Sequence, residues 1–451
     1  MATEKNKITM EELVSYCKRR GFVFQASEIY GGVAGMYDFG PYGVELKNNL
    51  KRAWWTEMVY KNPNIYGLDS AIIQHPKVWE ASGHTERFND PMVDCRNCKH
   101  RYRADKLAEV DDVTNEELVE LLANIKCPNC GKIDWTEPKA FNLLVEAHMG
   151  SIEGEKNIVY LRGETCQGIY TDYNSVRETM RAKIPFGIAQ IGKAFRNEIT
   201  PGDFLFRQRE FEQAELQVFV HPDMANEVFA HWKEARMAWH QKFLTKDNLR
   251  FREHGEKERA HYAKAAWDIE YKFPFGFKEM EGIHNRGDWD LSRHSKYSGS
   301  DLQYFDEESG KKYIPWIVET SVGVDRMFLA TLIDAYTEEE VKGEARVVLK
   351  LPKELAPVKV AVLPLSKKPE LNKVATEVFS SIAGEYNVEY DETQSIGKRY
   401  RRQDEIGTPY CVTVDFESLD DQAVTVRERD SMKQERVKIE ELKGYLEDKL
   451  K

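Results

Sequence analysis

Phe195-Arg196-Asn197-Glu198, followed after a short turn by Phe206-Arg207-Gln208-Arg209-Glu210-Phe211-Glu212-Gln213-Ala214-Glu215, is the stretch that decides the fold. Ile188 to Glu198 alternates in character, Pro201-Gly202-Asp203 is turn chemistry, and Phe206 to Val220 resumes an extended run, so the segment reads as a long hairpin. Gly192 and Ala194 leave an open floor beside Arg196 and Glu198, where an apolar core strand would carry branched side chains. A lone arginine would be an ordinary surface ion pair of little energetic worth. Here Arg196, Arg207 and Arg209 converge with Phe211 on one hairpin, which suits a flat polyanion such as a nucleoside triphosphate. Further on, strand-like Trp316–Glu319 leads through Ser321 and Gly323 into a run with Val324, Met327, Phe328, Leu332 and Ala335 at helical spacing. A helix start offers free N–H groups and partial positive charge to an anion, and Arg326 lies in that first turn.

Outward from these segments, the chain of 451 residues is too long for one ordinary core. Residues 11–24 read as a short helix running into a strand. Pro41 opens a helix with Leu46, Leu50, Trp54 and Met58 on one face, the spacing of a core helix. Residues 92–140 read as an insertion. Leu351-Pro352-Lys353-Glu354-Leu355-Ala356-Pro357 reads as a linker, after which strands (Val358–Leu363, Val388–Tyr390, Tyr410–Val414, Ala423–Val426) and helices (Glu370–Glu385, Ile439–Leu450) make an α/β domain able to fold alone. No run of 18 apolar residues occurs, and Met1 to Met10 is polar, so neither a membrane span nor secretion is expected.

Four of the seven cysteines form Cys95-Arg96-Asn97-Cys98 and Cys127-Pro128-Asn129-Cys130-Gly131. A two-residue spacer lets one tight knuckle present two thiolates to a tetrahedral zinc, and the remaining odd number argues against a disulfide framework. Thr114-Asn115-Glu116-Glu117 is a capping box, so a helical hairpin arm is expected to bring the pairs together. The net charge of −11 is awkward for a nucleic-acid partner, but the local field decides, and Lys398-Arg399-Tyr400-Arg401-Arg402 is a cationic stretch.

The Phe195–Glu215 hairpin resembles motif 2 of the class II aminoacyl-tRNA synthetases, and Gly323–Arg326 resembles motif 3. Gly40-Pro41-Tyr42-Gly43 to Leu50 with Trp54-Trp55 resembles the motif 1 of the dimeric glycyl-tRNA synthetases. Arg162-Gly163-Glu164-Thr165-Cys166-Gln167-Gly168 resembles that family's amino-acid loop, and Glu319-Thr320-Ser321-Val322-Gly323 its second glycine-contacting loop. In place of the loop's usual proline and alanine stand Gly163 and Cys166. The resemblance spans nearly the whole chain. It implies an α+β catalytic domain on a mainly antiparallel sheet over residues 1–355, carrying the zinc-knuckle insertion, and an α/β anticodon-binding domain over residues 356–451. It further implies a cytoplasmic homodimer, with the Pro41 helix at the dimer interface, that joins glycine to tRNA(Gly) with ATP and Mg²⁺ and holds a structural zinc.

Site residues follow from the two readings together. Arg196 would hold the α-phosphate and the glycine carboxylate, a planar guanidinium being suited to both. Arg207 and Arg209 would hold the outer phosphates or the tRNA acceptor end, Phe211 would stack on adenine, and Arg326 would meet the γ-phosphate or cover the adenine. Asn197, Glu198, Phe206, Gln208, Glu210, Gly282, Val324 and Asp325 complete the nucleotide set, and Glu281 and Glu319 are the carboxylates expected near Mg²⁺. Glycine offers no side chain, so its pocket must grip an ammonium and exclude a methyl group. Glu164, Glu319, Ser321 and one of Glu212 or Glu215 would surround the ammonium, as the resemblance implies. Alternation favours Glu215, which with Gln213 shares the face of Phe211, while Glu212 shares the apolar face of Ala214 and Leu216. Thr320, Val322, Gly323 and Arg103, which matches a family residue associated with substrate, complete that set. A non-catalytic relative that has lost the nucleotide-binding arginines, and a synthetase for another amino acid, are the competing readings.

Overall fold

A computed structural model describes residues 8–110, 113–150, 157–255, 263–341 and 343–451. The polar residues 1–7 of the expected N-terminus lie outside the described part. The hairpin is the centre of a seven-stranded sheet of order Leu249–Glu253, Ala265–Phe273, Gly276–Gly287, Trp316–Gly323, Glu210–Val220, Phe186–Phe195, Ile65–Gly67. All neighbours are antiparallel except the short Ile65–Gly67 edge. The hairpin pairs from Phe186↔Phe219 to Phe195↔Glu210 without a slip, so side-chain parity holds along its whole length.

That parity gives the sheet two different faces. Leu216, Val218 and Val322 point into a core closed by helices Pro41–Trp55, Ala225–His240 and Val324–Ala335. Leu46, Leu50, Trp54 and Met58 are all buried there. The four-residue spacing of the Pro41 helix is thus accounted for inside one chain. The polar face, carrying Gln213, Glu215 and Gln217, lies opposite Gly323, Ser321 and Glu319 of the neighbouring strand.

The cysteine-bearing insertion folds differently from the expected helical hairpin. It is a three-stranded sheet, Arg101–Arg103, Asn89–Asp94, Lys139–Asn142, with the short helices Ala104–Ala108 and Asn115–Leu122 on it. The Thr114/Glu117 capping box forms, and Val93, Ala104, Leu118 and Leu122 make a small core. Strand pairing, through the Cys95↔Trp135 bridge, brings the cysteines together.

The C-terminal region is a five-stranded sheet, Val388–Tyr390, Val360–Pro364, Tyr410–Val414, Ala423–Glu428, Gln434–Lys438, parallel over its first three strands and antiparallel beyond. Gln434–Lys438 escapes a sequence reading because it is a charged edge strand burying only Val437. The expected linker is packed: Leu351, Leu355 and Val358 join the core of the catalytic sheet, with Ile406 from the C-terminal region. Among the described residues no helix is long and apolar enough to cross a membrane.

Candidate active site

At the inner end of the polar face three carboxylates converge. Glu319 accepts from Gln217 Nε2 at 2.8 Å, from His284 Nδ1 at 2.6 Å and from Arg286 Nη1 at 2.9 Å. Burial pushes its carboxyl up, but Arg286 and then His284 outweigh it and hold the value down at about 2. Glu164 accepts from Gln167 Nε2 at 2.8 Å and from the Cys166 thiol at 3.0 Å, with His84 Nε2 at 3.5 Å. Against the same burial, His84 and then Arg286 hold it well below the carboxylate range. Glu215 differs. Ser321 Oγ donates to its Oε1 at 2.9 Å, while its buried Oε2 has no partner in hydrogen-bond geometry among the described residues. The Thr165 hydroxyl faces that carboxyl without closing a well-formed bond. Burial, with Glu319 and Glu164 adding repulsion, pushes Glu215 up to about 8. The alternation argument that favoured Glu215 over Glu212 matches these positions.

Next to this cluster opens a pocket walled by Arg196, Glu198, Leu205, Phe206, Arg207, Gln208, Phe211, Glu212, Gln213, Glu279, Ser321, Gly323, Asp325 and Arg326. Arg196 Nε donates to the Gly163 carbonyl at 3.1 Å, and its guanidinium lies between the rings of Phe88 and Phe211, 5.2 and 5.3 Å from their centroids. Arg326 lies 4.2 Å over the Phe206 ring and donates from Nη1 to the Glu279 carbonyl at 3.0 Å. Gly323, the N-cap of the Val324–Ala335 helix, leaves that helix start open to the pocket. Arg207, a third exposed, stands 3.8 Å from Glu198 at the wall.

The other expected residues take several different places in the fold. Glu281 is on the other face: a bulge between Glu279 and Glu281 inverts side-chain parity. Its carboxylate is fully buried against Arg236 (2.6 and 3.0 Å) and His240 (2.5 Å), and Glu279 takes the pocket wall. Glu212 is paired with Lys47 and Lys51, each at 3.0 Å, and Asp325 with Lys47 at 2.6 Å, both carboxylates lying at the pocket wall. Arg209 is taken by the carbonyls of Glu198 (2.7 Å) and Ala34 (3.1 Å) and braces the turn. Gly192 is small because Arg162 lies across it; that guanidinium donates to the carbonyls of Lys193 (2.6 Å) and Ser70 (2.8 Å). Arg103 pairs with Asp90 and Asp105, at 3.0 and 2.6 Å, in the insertion sheet. Glu210 pairs with Lys193, and Asn197 donates its N–H to the Leu143 carbonyl at 2.8 Å. Gln208 lines the pocket and donates to the Leu205 carbonyl at 3.1 Å. Ala214, Thr320, Val322 and Val324 are buried on the core side, and Gly282 gives room to the His284 ring.

The sequence reading missed Arg286, His284, His84 and Glu279. The bulged strand that carries three of them defeats a period-two reading, and His84 comes from a distant helix. In the insertion, Cys95 and Cys130 sulfurs lie 3.6 Å apart, as do Cys98 and Cys127. All four lie within 4.8 Å of one another. Tetrahedral thiolates about 2.3 Å from zinc are separated by roughly 3.8 Å, so the donor set fits that ion. Lys99 and Gly131 close equivalent turns, donating N–H to Cys95 and Cys127 carbonyls at 2.9 and 2.8 Å.

Residues 149–336 match the tRNA synthetase class II core domain (G, H, P, S and T), and residues 359–449 match an anticodon binding domain. The glycine–tRNA ligase of Caldanaerobacter subterraneus subsp. tengcongensis is 51% identical over 99% of this chain and 99% of its own. That of Treponema denticola is 51% identical over 99% and 98%, and that of Geobacillus kaustophilus 52% over 98% and 99%. The chain belongs to the glycine–tRNA ligase family. As a member, it shares the family's class II core, which acts through an aminoacyl-adenylate formed from ATP with Mg²⁺, and an anticodon-binding domain implies a tRNA partner.

Proposed function

We propose that the protein joins glycine to tRNA(Gly) through glycyl-adenylate, releasing pyrophosphate and then AMP. The observation that carries this is the buried, unpartnered Oε2 of Glu215, held among Glu164, Glu319 and Ser321 next to an arginine-lined pocket. An ammonium ion supplies the missing donors and the missing positive charge, and the tight carboxylate cluster leaves little space beyond it. The glycine carboxylate then points to Arg196, whose guanidinium also meets the α-phosphate where charge develops during attack. Phe211 and Arg326 bracket the nucleotide. Mg²⁺ accompanies the phosphates, with Glu279 and Glu198 the carboxylates in reach. The reaction needs alignment and charge stabilisation more than covalent help. Arg196 and Arg326 in the pocket argue against a non-catalytic relative.

The same reading makes the protein a cytoplasmic homodimer with the Pro41 helix near the subunit contact. A structural zinc sits on Cys95, Cys98, Cys127 and Cys130, and the C-terminal domain reads the anticodon. Pyrophosphate exchange with each of the twenty amino acids tests the chemistry. Exchange with glycine alone is expected; exchange driven by another amino acid, or by none, would overturn it.

A further inference from the structure

Lys47 lies on the Pro41–Trp55 helix, is buried, and stands behind the nucleotide pocket, which it does not itself line but whose lining residues Glu212 and Asp325 it pairs with. Its Nζ sits 2.6 Å from Asp325 Oδ1, an ion pair off the line of a good hydrogen bond, and 3.0 Å from Glu212 Oε2. The Phe39 ring backs it at 4.0 Å. Asp325 Oδ2 in turn accepts the Glu212 main-chain N–H at 2.8 Å. One buried cation and one carboxylate therefore tie together three segments that are far apart in the chain. Asp325 immediately precedes Arg326, and Glu212 immediately follows Phe211. Burial works against the ammonium, but Asp325 and Glu212 outweigh it and keep Lys47 charged.

We propose that Lys47 is a positioning residue for ATP. It acts through Asp325 on the first helical turn that aims Arg326, and through Glu212 on the strand that presents Phe211. Without it buried Asp325 and half-buried Glu212 would face each other with only Lys51, 3.0 Å from Glu212, left to offset the charge, and relief of the repulsion at Asp325 would move both segments. The glycine cluster stands on Glu164, Glu319 and Arg286, none of which Lys47 touches, so the effect should fall on the nucleotide.

This rests on the proposed activity, and the experiment separates the two. If the unaltered protein gives no glycine-dependent exchange, the activity reading fails. If it does, Lys47→Met is expected to raise the KM for ATP about tenfold or more, with the KM for glycine within twofold. Lys47→Arg, which can still span both carboxylates, should recover most of the loss. Should Lys47→Met not fold, Asp325→Asn, which weakens the same tie while keeping the lysine, is expected to show the same split in smaller measure. Equal rises in both KM values, or a lower melting temperature with unchanged kinetics, would overturn the positioning role.

Discussion

At Glu215, burial and two neighbouring carboxylates favour the protonated carboxyl, and the consequences are measurable. Burial and the neighbouring Glu319 and Glu164 set its value at about 8. An ammonium ligand needs the carboxylate, so binding must expel a proton whenever the pH lies below that value. The KM for glycine should therefore fall as pH rises through 8, by about tenfold per unit on the acid side. Glu215→Gln should raise that KM and remove its pH dependence. A KM flat between pH 6.5 and 8.5 would show that the ammonium binds elsewhere. Arg196, clamped between Phe88 and Phe211, would meet the α-phosphate in the proposed reaction. Arg196→Ala should slow exchange on the order of a hundredfold to a thousandfold while the far-UV spectrum stays unchanged.

At the scale of elements, the Ala225–His240 helix is locked to the sheet by Arg236, His240 and Glu281. Burial opposes ionisation of Glu281, but Arg236 and then His240 hold its value at about 2. The folded value lies below the unfolded one of about 4.3, so this stabilisation is present above that pH and is lost as pH falls through 2. Glu281→Gln strands Arg236 in the core and should cost ~3–5 kcal/mol at neutral pH. Urea midpoints at pH 7 should show the loss, and those near pH 2 should converge with the unaltered protein. The four-cysteine knuckle is a second such element. Cys98→Ser should lower zinc content and loosen the insertion, read by proteolysis between residues 89 and 142, with less effect on glycine-dependent exchange. Metal analysis finding no zinc in the unaltered chain would remove the site.

Across the whole molecule the two halves share a buried ionic joint. Asp404 accepts from Arg346 Nε at 2.9 Å and from Arg427 at 2.8 and 3.0 Å, while Arg429 Nη2 donates to the Leu351 carbonyl at 2.8 Å. Asp404→Ala leaves buried Arg427 without its carboxylate and Arg346 with Glu339 alone, at 3.2 Å, and should cost ~3–5 kcal/mol, visible as a lower melting temperature. The cationic stretch is divided by the same packing. Arg399 is buried on the carbonyls of Pro364, Leu365 and Asp391, and Arg402 pairs with Asp391. On the proposed reading, Lys398 and Arg401 are the members of the stretch that would meet the tRNA. Arg401→Ala is expected to raise the KM for tRNA and to lower the slope of its salt dependence by about one, and Arg402→Ala to destabilise without that change. Equal slopes in both variants would move the tRNA contact off this helix.

Sequence alone determined whatever depends on local order. The hairpin parity that separated Glu215 from Glu212, the Thr114 cap and the spacing of Leu46, Leu50, Trp54 and Met58 all survive folding, because unbroken strands and helices keep a fixed period. The paired cysteines were legible for the same reason: a two-residue spacer makes a knuckle wherever it lies. Tertiary structure decided what parity and spacing cannot carry. A single bulge sent Glu281 to the core and brought Glu279 to the pocket. Arg286 and His284 from one strand and His84 from a distant helix became the groups that set the charge of the carboxylate cluster. Arg209, Arg399 and Arg402 found carbonyls or carboxylates as partners and left the binding surface. An arginine's role depends on what stands opposite its guanidinium once the chain has closed, and the linear sequence does not state which group that will be.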